Sequence, residues 1–449
     1  MTTTVCTVVR YSCNITLLAE STLASCSNSK ESLMKWTKMS AAVATVAITI
    51  AGLTACSGAE GNEAAEIEVL TGSAVGSAQH SALESAADAF EKDNPGVKIR
   101  LVPGGGSFEG DLKVRLAANN APDVFNTHGW SLDRYSPFLV PLSDESWASD
   151  FNPVLDAAMR DEAGKFYALP IDVAVSGIVY SVPALEKAGV DASTITTWDA
   201  FEQAADAVLA AGIVPIAVSG KDNWTAGNLS DWAAPGYYSE KDLTDLQDGK
   251  FDTGVYAGML ERQAGWSSAG YFNKDYSSAT GDDVNRLIAT GEAAFAFQGN
   301  GLAQNATVLN PDVQLGFFPV PSEVSDPYLV GGESMAYGVS KTGEHKEIAL
   351  DFLAYLAQPS VLGPIAESIG NGPGLVNAES SLGIMQSSYN KYVTEAATTV
   401  VPFFDRVHLP NGMWNSMVIA SDAIITGQSS SGDAATQMKT AFDSVYGQD

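Results

Sequence analysis

Three short hydrophobic strands alternate with two amphipathic helices early in this chain. The strand patterns lie at residues 67–70, 97–102 and 122–125. Between them, apolar side chains recur on one helix face, at Leu83, Ala86, Ala87 and Phe90 and then at Phe108, Leu112 and Leu116. This β-α-β-α-β order predicts an α/β fold with a largely parallel sheet. Ligands bind such sheets at the carboxyl ends of strands, so we expect binding loops at residues 71–77 and 126–134.

A second α/β unit follows the apolar run at residues 171–180. Thr197 is expected to cap a helix that buries one face, formed by Trp198, Phe201, Ala205 and Val208. Residues 223–238, rich in Gly, Trp and Tyr, predict an irregular stretch, and a mostly helical segment runs on to residue 290. Later patterns predict strands at 213–218, 293–298 and 335–339, a crossing segment at 317–321, a helix at 347–356 and a last long helix at 413–426.

The N-terminal region has the pattern of an export signal. Lys35 and Lys38 precede an uncharged run of small and apolar residues, and L-T-A-C-S-G ends it at Cys56. This string resembles a bacterial lipobox, in which the cysteine after the cleavage site carries lipid such as palmitate. An ordinary secretory signal or a buried helix are the alternatives. Residues 1–33 fit no signal pattern, so we expect translation to start at Met34.

Cleavage before Cys56 changes the composition of the chain. Cys6, Cys13 and Cys26 are removed, so Cys56 is the only thiol left and no disulfide or thiolate metal site is expected. Residues 56–66 are small, polar and acidic, which predicts a flexible tether. The remaining 394 residues fit two domains, with 20 basic and 51 acidic residues and a net charge of −31. That charge argues against nucleic acid and anionic membrane as partners.

Motifs for catalysis and cofactors do not occur in the sequence. The glycines at 104–106 lack a following Lys-Ser/Thr, no H-E-x-x-H or G-x-S-x-G is present, and the four histidines have no ligand spacing. We therefore expect no cofactor and no metal. The many carboxylates contain possible acid and base pairs, but their separation cannot be read from sequence, so a glycosidase stays an alternative.

Several ordered segments resemble the extracellular solute-binding proteins of bacterial ABC importers, in the carbohydrate-binding group that includes maltose-binding protein. They lie at 121–126, 167–181, 291–300, 317–321 and 340–356, and the run P-F-F-D-R-V-H-L-P-N-G-M-W at 402–414 is more similar to binding proteins for raffinose- or isomaltose-type oligosaccharides. The resemblance implies a periplasmic-binding-protein-like fold, with two α/β lobes joined by crossing strands near 172 and 318–330. The expected lobes are 67–172 with 328–385, and 173–327 with 386–449.

The implied function is that of a substrate-binding lipoprotein. It would act as a monomer on the outer face of the cell membrane, bind an oligosaccharide or sugar in the cleft between the lobes, and deliver it to the ABC permease without breaking a bond. The alternatives are a lipid-anchored glycosidase, a scaffold or adhesin, and a binding protein for a peptide or polyol.

A sugar site needs aromatic faces for C–H groups and planar polar side chains for hydroxyls. On this basis, and on the resemblance, the candidate ligand-binding residues are Trp130, Asp133, Arg134, Asp172, Trp224, Trp232, Gln298, Asn300, Glu333, Phe404, Asp405 and Trp414. Core packing is the alternative for the aromatic residues, and an ion pair with Arg406 is the alternative for Asp405. Gly301 and Ala174 depart from the maltose-binding pattern, so a site of different shape is expected.

Overall fold

The computed structural model describes residues 64–104, 108–127 and 132–447. The predicted signal peptide at 1–55, Cys56 and most of the predicted tether lie outside these residues. Within them the strands are β1 Ala65–Thr71, β2 Val97–Pro103, β3 Val124–Asn126, β4 Leu169–Pro170, β5 Asp172–Ser176, β6 Ile178–Ser181, β7 Val214–Ile216, β8 Ala293–Ala296, β9 Leu315–Phe318, β10 Leu329–Gly332, β11 Ala336–Val339, β12 Gly372–Pro373 and β13 Val400–Pro402. β1 starts at Ala65, so the last two residues of the predicted tether belong to the strand.

The α-helices of the same residues vary from single turns to seventeen residues, and short 3₁₀ and π segments supplement them. They are α1 Ala78–Asp93, α2 Phe108–Ala117, α3 Leu132–Tyr135, α4 Asp156–Met159, α5 Val182–Ala188, α6 Trp198–Ala210, α7 Trp224–Ala233, α8 Glu240–Gln247, α9 Thr253–Ala269, α10 Gly281–Ala289, α11 Gly301–Leu309, α12 Lys346–Leu356, α13 Pro359–Ile369, α14 Gln386–Tyr389, α15 Phe404–Val407, α16 Trp414–Ile425 and α17 Ser431–Val445.

The first lobe is built on a five-stranded sheet of order β2-β1-β3-β11-β4. β1 pairs in parallel with β2 and β3, which confirms the predicted parallel start, and β11 adds in antiparallel fashion. The predicted hydrophobic face of α1 is buried against this sheet. Ser77 caps α1 by accepting a hydrogen bond from the backbone N–H of His80.

The second lobe is built on a four-stranded sheet of order β7-β8-β6-β9. β7 and β8 run parallel, whereas β6 pairs antiparallel with both β8 and β9. The hydroxyl of Thr197 accepts from the N–H of Ala200 at the start of α6, as predicted, and the expected apolar face of α6 is buried. Burial of that face against the sheet stabilises the helix far more than its intrinsic propensity does.

A small middle sheet of order β12-β5-β10-β13 joins the two lobes. The chain passes from β4 in the first lobe through β5 to β6 in the second, and returns through β9 and β10 to β11. These are the predicted crossing segments, and β5 and β10 pair with each other in antiparallel fashion. A Cβ atom at Gly177, just after β5, would lie 1.8 Å from the carbonyl oxygen of Phe318. Only glycine lets the two crossings approach so closely.

The structure corrects the prediction for residues 223–238. Instead of an irregular stretch, it contains helix α7 and a 3₁₀ turn. Residues 225–233 of α7 are buried on every side, against α9 and α16, so the helix lacks the exposed polar face that produces an amphipathic pattern. Its internal polar groups are paired instead, as in the 2.7 Å hydrogen bond between Ser230 and Ser421.

The prediction that α16 is the last long helix was wrong as well. α17 follows it and buries Ala434, Ala435, Met438 and Phe442 against the second lobe. In the part of the chain that the structure describes, no single helix is long and apolar enough to cross a membrane. Only α12 and α13 together pass that test of length and composition, and they meet at an angle of 73°.

Candidate functional site

Strand ends from both lobes lie beside the crossing segments of the middle sheet. In the first lobe, the residue after β3 is bonded to the start of β11, the strand that follows the return crossing, because the N–H of Thr127 donates to the carbonyl of Ala336 over 2.9 Å. In the second lobe, the residues after β8 contact β5, because Asn300 Nδ2 donates to Val175 O over 3.3 Å. The loops at the carboxyl ends of parallel strands, where α/β proteins bind ligands, thus come together here.

Asp172 lies at the start of β5 with no exposed surface. Its Oδ1 accepts from the backbone N–H groups of Ser334 and Met335 over 3.3 and 2.7 Å, and its Oδ2 accepts from Ser334 Oγ and Asn371 Nδ2 over 2.7 and 2.6 Å. Burial raises the pKa of Asp172, and the four hydrogen bonds oppose that rise. This carboxylate was predicted as a ligand contact. In the structure its hydrogen bonds instead join β5 to the connection between β10 and β11.

Glu333 is the neighbour of Ser334 on that connection, and its side chain is fully buried. Its Oε2 lies 2.9 Å from Arg406 Nη1, and its backbone carbonyl also accepts from Arg406. The guanidinium of Arg406 lies over the ring of Phe403, 4.5 Å from its centre. Arg406 therefore neutralises Glu333, which was predicted as a ligand contact, and ties α15 to the crossing chain.

Asp231 and Asp405 form a carboxyl pair where α7 meets α15. Asp231 is buried, and its Oδ1 accepts from the backbone N–H of Asp405 over 3.0 Å. Burial, followed by the negative charge of Asp405, raises the pKa of Asp231 well above its usual value. Burial also raises the pKa of Asp405, against the opposing effect of Arg406. Two adjacent carboxyls of this kind share a proton and titrate together.

Arg134 connects the predicted first-lobe loop to the segment before α16. Its Nε donates to Asn411 Oδ1 over 3.0 Å, and its Nη2 donates to the same oxygen. The positive charge of Arg134 also acts to lower the pKa of Asp405, which places the guanidinium near the carboxyl pair. Arg134 thus lies at the junction between the first lobe and α15–α16.

Two tryptophans lie on neighbouring helices of the second lobe. Trp224 is 43% exposed at the first position of α7. Trp414 is half-buried at the first position of α16, and a Cβ atom at Gly227 would lie 3.0 Å from its ring. Gly227 is three residues beyond Trp224, about one helical turn along α7. The ring of Trp224 itself lies beside the start of α10, 3.6 Å from where a Cβ atom at Gly281 would be.

The structure places two predicted aromatic contacts in the core. Trp232 is 4% exposed, donates Nε1–H to the carbonyl of Gly177 over 3.3 Å, and packs on Phe403 with ring centres 5.3 Å apart. Phe404 has no exposed surface and lies 5.0 Å from the ring of Tyr238. Neither ring offers a free face for stacking, so their observed role is packing around the crossing strands.

Gln298 and Asn300 follow β8 and are buried. Gln298 Nε2 and Asn300 Oδ1 have no hydrogen-bond partner, although Asn300 Nδ2 is held by Val175. Asn371 Oδ1, beside Asp172, also has no hydrogen-bond partner. Native proteins rarely leave buried polar atoms unpaired, so Gln298 and Asn300 stay predicted ligand contacts.

The remaining predicted contacts cannot be located on this surface. Trp130 lies outside the described residues, as does Cys56, and the side chain of Asp133 is not described. Both residues of the first-lobe loop therefore stay predictions. Within the described residues, no group of three or more His, Cys, Asp or Glu side chains could hold a metal ion.

Sequence reasoning left out four polar residues of this region: Ser334, Asn371, Arg406 and Asn411. Ser334 and Asn371 act on Asp172 from segments far away in sequence, so no local pattern marks them. Asn411 lies within residues 402–414, the run that resembles oligosaccharide-binding proteins. That resemblance was the one sequence signal that indicated Asn411. Arg406 was considered only as a partner of Asp405; it forms an ion pair with Glu333, and its charge also lowers the pKa of Asp405.

Comparisons with known proteins agree with this architecture. The sequence profile of the bacterial extracellular solute-binding proteins matches residues 76–361. The melibiose/raffinose/stachyose-binding protein MelE of Bacillus subtilis is 30% identical over 341 residues, which cover 73% of this chain and 78% of MelE.

Two solved structures resemble the whole described chain. The MsmE binding protein of Bacillus subtilis, in an open conformation, is 26% identical with a TM-score of 0.78, over 86% of this chain and 99% of its own. A sugar transporter protein of Bacillus licheniformis in complex with stachyose is 29% identical with a TM-score of 0.75, over 85% of this chain and 100% of its own.

The two lobes, the crossing strands and the polar junction between them define a periplasmic-binding-protein-like fold. The chain belongs to the family of bacterial extracellular solute-binding proteins, as its sequence resemblance implied. The relatives named here are binding proteins.

Proposed function

We propose that this chain is the substrate-binding component of an ABC importer, and that it captures an oligosaccharide of the raffinose or stachyose kind. The observation that carries the proposal is the end-to-end likeness to a stachyose-bound protein, together with 30% identity to MelE. Ligand capture would favour a closed arrangement of the lobes, which the permease would recognise.

The proposed cleft combines stacking and hydrogen-bonding side chains. Trp414 and Trp224 supply the half-buried and exposed aromatic faces that a pyranose ring needs. Arg134, Asp405 and Arg406 are charged groups beside them that keep some accessible surface. We retain Trp130 and Asp133 as contacts from the first lobe, because the loop that carries them follows β3.

We propose that the other predicted contacts stabilise the strands beneath the cleft and do not touch the ligand. Asp172 and Glu333 have no accessible surface and are saturated by neighbouring groups, so they fix the crossing chain rather than touch sugar. Trp232 and Phe404 pack beneath the same segments. Removing such supports would disturb the cleft indirectly, through the position of the strands.

We propose lobe boundaries at 67–172 with 328–385 and at 173–327 with 386–449. The division is supported by the chain passing from one large sheet to the other through β5–β6 and returning through β9–β11. The short middle sheet between them is the natural hinge, since its strands are short and belong to neither large sheet.

We propose that Cys56 carries lipid and anchors a monomeric protein to the outer face of the membrane. The lipobox-like string and the polar segment at 56–66 support this proposal. Labelling of cells with radioactive palmitate should mark the wild type and leave Cys56→Ser unlabelled. Label retained on Cys56→Ser, or absent from the wild type, contradicts the anchor.

No catalytic role is proposed, and the named relatives are binding proteins. A calorimetric panel of melibiose, raffinose, stachyose, maltose, a tripeptide and sorbitol tests the function. Saturable heat with raffinose or stachyose and recovery of intact sugar are expected. Hydrolysed sugar would support the glycosidase alternative, heat with only the tripeptide or sorbitol would support a non-sugar solute, and no heat with any compound would contradict the proposal.

Trp414→Ala is expected to lower raffinose affinity by about thirtyfold, because a buried aromatic contact in an interface contributes about 2 kcal/mol. The free energy of unfolding should change little in comparison. Tyr446→Ala is the matched control, since Tyr446 is a 41% exposed aromatic that packs on α17 and Gly249. Calorimetric affinity equal to wild type in Trp414→Ala removes this residue from the site.

A further inference from the structure

Helix α7 carries no side chain at a point where two side chains of α16 press against it. Gly227 is buried within α7. A Cβ atom there would lie 2.6 Å from Val418 Cγ2, and 3.0 and 3.1 Å from Cη2 and Cζ2 of Trp414. Carbon atoms in contact are about 3.5–4.0 Å apart, so even a methyl group would overlap both side chains. Trp414 and Val418 therefore occupy the space that any other residue at 227 would need.

Glycine inside a helix is unfavourable unless the tertiary structure requires it, because its flexible backbone loses more freedom on folding than that of alanine. On α9, Gly258 is exposed, and no atom lies within 4 Å of its Cβ position. A methyl group would fit at 258 and would not fit at 227. The two positions thus separate the effect of helix propensity from the effect of contact with α16.

The two residues of α16 differ in their freedom to move. Trp414 and Val418 are four positions apart, so they lie one turn from each other on the same side of α16. Val418 is 3% exposed and is enclosed by the core, whereas Trp414 is half-buried. The indole of Trp414 is therefore the group that a larger residue at 227 would displace.

The backbone of α7 is held by other segments of the second lobe and of the crossing chain. Asn228 Nδ2 donates to the carbonyl of Phe297, just after β8, over 3.1 Å. Trp232 Nε1 donates to the carbonyl of Gly177 over 3.3 Å. Because these bonds fix α7, crowding at 227 would move the ring of Trp414 rather than the helix.

The contacting atoms of Trp414 lie at the outer end of its ring. Cη2 and Cζ2 belong to the six-membered ring, which is the part of the indole farthest from its own backbone. We propose that Gly227 is a positioning residue for sugar binding, because its missing side chain sets the depth at which the Trp414 ring lies and hence the position of the face on which a pyranose stacks. The inference rests on the proposed function, in which Trp414 is a ligand contact.

Gly227→Ala tests this role in two backgrounds, wild type and Trp414→Phe. Phenylalanine keeps an aromatic face but is shorter, so it lacks the two indole atoms that a methyl group at 227 would meet. Gly258→Ala is the matched control, since it adds the same methyl group to a helix where the space is open. Calorimetric affinity for raffinose and Tm are measured for every variant.

In the wild-type background, Gly227→Ala should bind raffinose about threefold or more weakly, the coupling expected of residues in contact. In the Trp414→Phe background the same change should cause no further loss of affinity. Gly258→Ala should keep wild-type affinity with an equal or higher Tm. Equal losses in both backgrounds, no loss in the wild-type background, or the same loss in Gly258→Ala would each overturn the inference, since a glycine of purely structural importance would not act through the indole.

The Tm comparison decides the contact if Gly227→Ala does not fold or if wild type binds no sugar. Gly227→Ala should melt about 2 °C or more below Gly258→Ala, because overpacking opposes the gain in helix propensity. Adding Trp414→Phe and Val418→Ala removes the three nearest atoms, so Gly227→Ala should then fold and melt no lower than the same chain with Gly227. A loss that persists in that chain overturns the role of Gly227, whereas missing sugar binding by wild type contradicts the proposed function alone.

Discussion

Two buried polar networks meet on the three residues between β10 and β11, and they are built differently. Ser334 and Met335 belong to the first network, in which Asp172 accepts four hydrogen bonds. Glu333 belongs to the second, in which Arg406 serves Glu333 while Asp231 and Asp405 lie against each other. The first network satisfies its charge with neutral donors, whereas the second balances several charges.

The difference indicates separate tasks for the two networks. Neutral donors from two distant segments, residues 334–335 and Asn371, hold β5 in one position, which suits the crossing chain of a two-lobed protein. The second network includes groups with accessible surface, and Arg134 of the first lobe lies near it.

The largest effect is expected for Arg406→Met. It removes the guanidinium that neutralises the charged and fully buried Glu333, and breaking such a pair costs about 3–5 kcal/mol. The free energy of unfolding from urea titration measures the loss. Lys439→Met is the control, because the exposed ion pair of Lys439 with Asp443 contributes less than about 1 kcal/mol. Equal, small losses in both variants would contradict the assigned role of Arg406.

Asp172→Ala is expected to lower the free energy of unfolding by about 3 kcal/mol, since it leaves several buried donors without an acceptor. Urea titration again provides the measurement. Combined with Arg406→Met, the loss should depart from additivity by more than about 0.5 kcal/mol, because both networks hold the same short connection. Strict additivity would show that the networks are independent.

Asp231→Asn tests the second network through the pH dependence of the free energy of unfolding. An acid whose folded pKa is raised keeps its proton in the folded state above pH ~3.9, where the unfolded carboxyl has lost it. This contribution is fully present below the unfolded pKa, and it falls as pH rises through the raised folded pKa. Its slope is at most about 1.4 kcal/mol per pH unit for one proton.

The variant removes the titrating proton, so stability plotted against pH from 4 upward should decline less steeply than in wild type. Arg406, Arg134 and Asp405 are the charged groups near Asp231 and remain unchanged. Asp443→Asn, at an exposed carboxylate on α17, is the matched control. Parallel pH profiles for wild type and Asp231→Asn would contradict a shared proton.

The smallest effect is expected for Asn411→Ala, which removes the acceptor of Arg134 between the first lobe and the segment before α16. The two hydrogen bonds share one acceptor on a partly exposed guanidinium, and together they should contribute about 1 kcal/mol, or about fivefold in raffinose affinity. Asn377→Ala, whose amide bonds the exposed Asp150, is the control for affinity. Affinity unchanged in both variants would exclude this contact from ligand binding.

Local patterns predicted much of each lobe. The amphipathic faces of α1, α2 and α6, the cap at Thr197 and the parallel β1–β3 core were all evident from spacing. α7 was missed because a helix buried on every side has no polar face to mark it. The antiparallel pairing of β11 with β3 joins residues about two hundred positions apart, and spacing does not encode such a partner.

The candidate site was predictable as residue types but not as roles. Asp172, Glu333, Asp231 and Asp405 are all acidic residues in apolar or aromatic surroundings, and in sequence they look alike. The structure separates them by their partners: neutral donors for Asp172, Arg406 for Glu333, and each other for Asp231 and Asp405. Trp414 and Trp232 are likewise distinguished only by burial.

The sequence by itself determined the α/β class, the two crossings and the family resemblance, and the signal with Cys56 stays a prediction from the sequence. Each depends on short-range periodicity or on a contiguous motif, and hydrophobic burial makes such patterns visible. Only the tertiary structure decided which polar groups are satisfied. A buried carboxylate or amide is satisfied only if segments far away in sequence bring hydrogen-bond partners to it. In an interior without water, those partners decide whether burying the group costs free energy.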